Sequence, residues 1–141
     1  MFTDGRPGRE IEIALASILA AGHVLVGVTG ILAPRFLMRF WAGRDPRAEH
    51  VRTSGLAIGM RDFAVGAGTL MALRRGQIRS AWSECAALSD TVDALGTLLF
   101  FRHTPWGRRT FIVVCVGASA IAGHWLNRPG PAGGYSSGPT A

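Results

Sequence analysis

Arg61 and Asp62 stand side by side in this chain, and Asp90 and Asp93 lie one helical turn apart further on. All four fall inside predominantly apolar stretches, where an ionisable side chain is costly and by default marks a functional site. A carboxylate in such surroundings can give or take a proton, and a guanidinium can hold an anionic partner. Desolvation and a neighbouring cation act on a carboxylate in opposite senses, so their balance can leave one acid and one base. His23, in an earlier apolar stretch, adds an imidazole suited both to hydrogen bonding between helices and to a site. Asp62, Asp90 and Asp93 are the candidate catalytic residues. The candidate binding residues are the same three with His23, Arg52 and Arg61.

Helices must carry these groups to a common depth. At about 100° per residue, Arg52, Gly55, Gly59, Asp62, Gly66 and Thr69 share one side, a strip of small residues around a single carboxylate. Other helices could approach closely along it, and Asp62 is expected to face a pocket lined by Gly55, Gly59 and His23. Arg61 points about 100° away, which predicts a partner on another helix, Asp90 or Asp93, and not Asp62. Ser83, Ala86, Ala87 and Thr97 extend the small polar side that carries the two later aspartates. On the first apolar stretch Glu12, Ala16, His23, Gly27 and Gly30 share a side, Glu12 reading as an exposed helix-start residue favoured by the dipole.

The positioning elements are visible as four apolar blocks, Ile11 to Ala33, Gly55 to Leu73, Ala81 to Phe101 and Phe111 to Leu126, in a chain 48% hydrophobic and only 17% charged. Three reach the roughly 20 residues of a membrane-spanning helix, and the fourth does so if it begins near Trp106. The expectation is an all-α integral membrane protein, a four-helix bundle of antiparallel up-down topology. A polar N-terminus (1–10) would precede the membrane domain (11–126), and a Gly, Pro and Ser-rich tail (127–141) would be disordered. The first block outruns a signal-peptide core.

The net charge of +6 does not indicate nucleic acid. All fifteen basic residues are arginines, most of them in short connections, which suits lipid headgroups, and no nucleic-acid motif accompanies them. The bilayer is the expected partner, in a bacterial cell membrane. Arginine counts on the two sides are too close to set an orientation, although four spans put both termini on one side. Oligomeric state is left open.

The connection PRFLMRFWAGRDPRAEHVR, after a helix closed by Pro34, mixes arginine and aromatic residues as an interfacial segment does. Asp45 and Pro46 read as the N-cap and first residue of the second helix, and Arg47, Glu49, His50 and Arg52 as a solvated collar. The short RRGQIRS forces the third helix back beside the second, with Ser80 as its N-cap. Cys115, Ser119 and Gly123 form a packing ridge on the last helix, and His124 and Trp125 anchor its end at the interface. Cys85 and Cys115 start helices facing opposite surfaces, on the order of 15 Å apart along the membrane normal, too far for a disulfide. Without a CxxC pair, thiol exchange loses its chemistry.

No GxSxG, P-loop, HExxH or GxGxxG before a helix is present, so no cofactor is assigned. Asp62, Asp90, Asp93 and His23 offer oxygen and nitrogen donors, but without HxxE or HxxxH spacing no metal is assigned. The GMRDFAVGAG segment, the arginine-bearing start of its helix and DTVDAL resemble the small membrane proteins grouped as DUF4267, a family of unknown function. That resemblance covers about Ile11 to Leu126, implies four membrane helices and supplies no reaction. Two functional classes follow. One is a non-enzymatic partner or small transporter in the membrane, whose polar Arg, Asp and His interior specifies helix pairing. The other is a membrane-embedded pocket that binds a lipophilic small molecule or transforms it by acid–base chemistry, as on an epoxide.

Overall fold

The computed structural model describes residues 7–42, 49–100 and 104–128, and these form five helices. They are α1 (Pro7–Leu32), α2 (Pro34–Ala42), α3 (Glu49–Arg74), α4 (Ala81–Phe100) and α5 (Trp106–Leu126). Three are long and apolar enough to cross a membrane, over Gly8–Leu32, His50–Arg74 and Trp106–Leu126. The fourth long helix, α4, carries three acids, Glu84, Asp90 and Asp93. The expected Asp45–Pro46 cap, the tail beyond residue 128 and the first six residues lie outside the described residues.

Five helices replace the expected four because Pro34 does two jobs. It has no N–H to continue the α1 ladder, and its fixed φ suits the first position of a new helix. Ala33 is the joint: its amide donates to Thr29 O at 2.7 Å, while its carbonyl accepts from Phe36 and Leu37 at 3.0 and 3.1 Å. The short helix that results is amphipathic. Leu37 and Met38 are buried while Phe36 and Phe40 are exposed, and Met38 clusters with Val51 and Ile58 of α3. At its far end Trp41 Nε1 donates to Thr97 Oγ1 at 3.1 Å, and Phe40 meets Phe111 edge-on with centroids 6.4 Å apart.

α1 packs most extensively on α3, and α4 on α5. The α1–α3 seam runs antiparallel through glycines on both sides. A Cβ built on Gly30 would stand 2.5 Å from Gly59 Cα, one on Gly59 2.6 Å from the Gly30 carbonyl carbon, and one on Gly66 2.7 Å from Ala20 O. Backbone against backbone at this range excludes any side chain, the close approach that small residues permit within a bilayer. Gly55 meets Pro34 O and the Met38 side chain in the same way. The glycine strip is thus filled by α1 and α2, correcting the expectation of a pocket along it. Val65, on another side of α3, is also buried.

The connections are closed by local bonds. Gly76, at φ +76°, donates to Leu73 O, and Gln77 donates to Ala72 O, the paired bonds of a Schellman stop that favours glycine. Ser80 and Ser83 cap α4 reciprocally, each hydroxyl accepting the other's amide at 3.2 and 3.0 Å. Arg79 Nε donates to Leu126 O at 3.1 Å, covering an orphan carbonyl at the end of α5.

Polarity is inverted relative to a water-soluble domain. His23, Asp62, Thr69, Ser83, Asp90 and Thr97 are buried, whereas Ile18, Leu25, Leu88, Val92, Val114 and Ile121 are exposed. Buried polar groups under an apolar surface are what a lipid solvent demands.

Candidate functional site

Four helices deliver the polar side chains to one level. Arg61 of α3 grips Asp93 of α4 with both ends of its guanidinium, Nη1 donating to Oδ1 at 3.1 Å and Nη2 to Oδ2 at 2.6 Å. This is the bidentate geometry that makes arginine–carboxylate pairs strong. The partner on another helix is therefore Asp93, and Asp90 is engaged elsewhere. Arg61 also holds its neighbour, Nε donating to Asp62 Oδ1 at 2.9 Å and Nη2 lying 2.8 Å from the same oxygen. The 100° argument against an Arg61–Asp62 contact fails because it describes where Cβ points. A guanidinium on a three-carbon stem swings back across that angle.

Asp90 faces α1 and α5. Its Oδ1 lies 3.3 Å from His23 Nε2, and its Oδ2 accepts a hydrogen bond from Ser119 Oγ. The other histidine nitrogen, Nδ1, lies 3.1 Å from Leu19 O. A carbonyl only accepts, so Nδ1 carries a hydrogen, and a neutral His23 would turn a lone pair toward Asp90. The contact is favourable when Nε2 carries a hydrogen and donates it to Oδ1, which makes His23 and Asp90 a proton-exchanging pair.

Thr97, with no exposed surface, links α2 to this cluster. It accepts from Trp41 and donates to Asp93 O at 2.7 Å. Trp41 forms one wall of a cavity of about 330 Å³ whose floor is His23, Asp62, Asp90 and Asp93. The volume lies in the range of small-molecule sites. Its rim is exposed: Ile18 and Gly22 on α1, with Ile18 67% accessible, and Cys115 on α5. The cavity opens between α1 and α5 at mid-height, on the flank of the bundle. Asp62, 4% accessible, lies at its depth.

Arg52 is not brought to this site. It lines a separate surface groove with Arg35, Phe36 and Leu56, about 15 Å from Asp62 at 1.5 Å per residue along α3. Among the described residues, no group of three His, Cys, Asp or Glu side chains is arranged to hold a metal ion. Cys85 and Cys115 are both free thiols. Two site residues escaped the sequence reading. Trp41 was assigned to the interface and Ser119 to a packing ridge, and the signal for Trp41 was the helical spacing of Leu37, Met38 and Trp41 after Pro34. Compared with protein families, curated proteins and solved structures, the chain matches none of them.

Proposed function

We propose that the chain is a four-span, antiparallel up-down membrane bundle whose polar interior binds a lipophilic small molecule entering from the side. α1, α3, α4 and α5 cross the bilayer, and α2 lies at one surface. The observation that carries this reading is the cavity itself, with an apolar rim on the flank and an ionised floor within. α4 counts as a span because Leu88, Val92, Leu95 and Leu99 are exposed along one side, while Asp90, Asp93 and Thr97 turn to the interior. Residence in a bacterial cell membrane and kinship with DUF4267 belong to the same proposal, the latter resting on G-x-R-D-x-x-x-G and DTVDAL. Reporter fusions after Arg9, Arg75 and Arg128 are expected in one compartment, and a split among them removes the four-span reading.

The binding reading is tested by plugging the rim. No heavy atom lies within 4 Å of a Cβ built on Gly22, so Gly22→Trp should fill the opening without disturbing helix packing. Mass spectrometry of extracts from the purified protein should find a chemically related set of lipophilic compounds, lost in Gly22→Trp at an unchanged melting temperature. The same compounds retained in equal amount would remove the cavity as their site. A second reading, acid–base catalysis on an oxygenated lipophile such as an epoxide, is favoured by the His23–Asp90 couple, which can pass its proton to a bound oxygen.

A further inference from the structure

We propose that the cavity takes a lipophilic amine, with the ammonium seated on Asp62 and the hydrocarbon chain leaving between α1 and α5. The inference rests on the reading of the cavity as a lateral ligand site and names the class of ligand. The first argument is charge. The single Arg61 guanidinium faces two carboxylates, Asp62 and Asp93, and His23 can bring at most one positive charge against Asp90. The floor therefore carries at least one negative charge more than its side chains balance. An uncompensated charge at this depth is costly, and a cation brought by a ligand relieves it.

The second argument is a specific vacant acceptor. Asp62 Oδ1 receives both contacts from Arg61, and among the described residues nothing donates to Oδ2, although the side chain is only 6% accessible and lines the cavity. Oδ2 is not among the side-chain atoms that are closed off without a partner, so a donor that enters the cavity can reach it. The third argument is the surroundings. Trp41, its ring held by the bond to Thr97, offers an aromatic wall to a cation, and Leu19, Val26 and Val116 offer apolar contact to a chain. A bare metal ion would lack ligands here, since no suitable group of three exists among the described residues.

Cys115 on the rim is a built-in reporter. In a Cys85→Ala background it is the only cysteine, and its alkylation by N-ethylmaleimide is measured in nonionic detergent against a free thiol in the same micelles. Dodecylamine, dodecanol and dodecanoate are the probes. Dodecylamine is expected to slow Cys115 alkylation about tenfold or more relative to the other two, the worth of one charge-assisted hydrogen bond. Asp62→Asn should remove that protection. Equal protection by dodecanol or dodecanoate overturns the amine preference and leaves the lateral site standing. Protection by none of the three overturns both. The comparison among probes is made with Asp62 intact, so it decides the matter even where Asp62→Asn folds poorly.

Discussion

Arg61→Met should destabilise the purified protein by about 3 to 5 kcal/mol, the range for removing one partner of a buried ion pair. The low end applies, because the Arg61 side chain is 35% accessible. Loss of the guanidinium strands two largely buried carboxylates at once, Asp62 and Asp93, where an unpaired charge is costly. Adding Asp93→Leu removes one of those unpaired charges and should recover part of the loss. Adding Asp90→Leu should recover nothing, since Asp90 bonds to His23 and Ser119 and owes Arg61 nothing. The coupling is read from melting curves of the three variants in detergent. Equal rescue by both second changes would show that the Arg61–Asp93 grip is not what holds the cluster.

Gly59→Leu is the other large effect. A Cβ at this position would lie 2.6 Å from the Gly30 carbonyl carbon and 2.7 Å from Ile31 N, both backbone atoms that cannot turn aside. Overpacking commonly costs about 1 to 3 kcal/mol, and this site belongs at the upper end because α1 must move bodily. Leucine at Gly96 is the matched control, since nothing lies within 4 Å of a Cβ there. A surface change of that kind should stay within about 0.5 kcal/mol. The displacement reaches the site as well: α1 carries His23, so separating α1 from α3 changes the distance between His23 and Asp90. Equal melting temperatures for the Gly59 and Gly96 variants would remove the glycine seam as the principal contact.

The long helices were legible because each is an apolar run of bilayer length, and Trp106 begins α5 where that length requires it. The cross-helix partner of Arg61 was legible to within two residues, since only Asp90 and Asp93 occupy its depth. Choosing between them needs the rotation of α4, which is fixed by Ser119 and His23 drawing Asp90 to the other side. The strip of Gly55, Gly59 and Gly66 was legible as a surface that other helices approach closely, and only the pocket lining assigned to Gly55 and Gly59 was misread. Small residues mark a surface that something approaches closely, and Gly27 and Gly30 of α1 carry the same signature, so the two strips consume each other. Pro34 was read as a stop only, which hid α2 and with it the part Trp41 plays in the cavity. The solvated collar proposed at the start of the second helix includes Arg47, which lies outside the described residues, and Arg52, which is exposed as expected.

That the opening between α1 and α5 faces hydrocarbon is tested most directly at Cys115. The Cys85→Ala protein, reconstituted in vesicles, is treated with a maleimide that partitions into the bilayer and, separately, with a membrane-impermeant sulfonated thiol reagent applied from both sides. Gln77→Cys in a background lacking both native cysteines gives the exposed reference, since Gln77 lies in the surface turn between α3 and α4. The account predicts that Cys115 reacts with the lipid-soluble reagent and is spared by the impermeant one, which modifies position 77 readily. Modification of Cys115 by the impermeant reagent at the rate seen for position 77 would contradict it, because the cavity would then open to water.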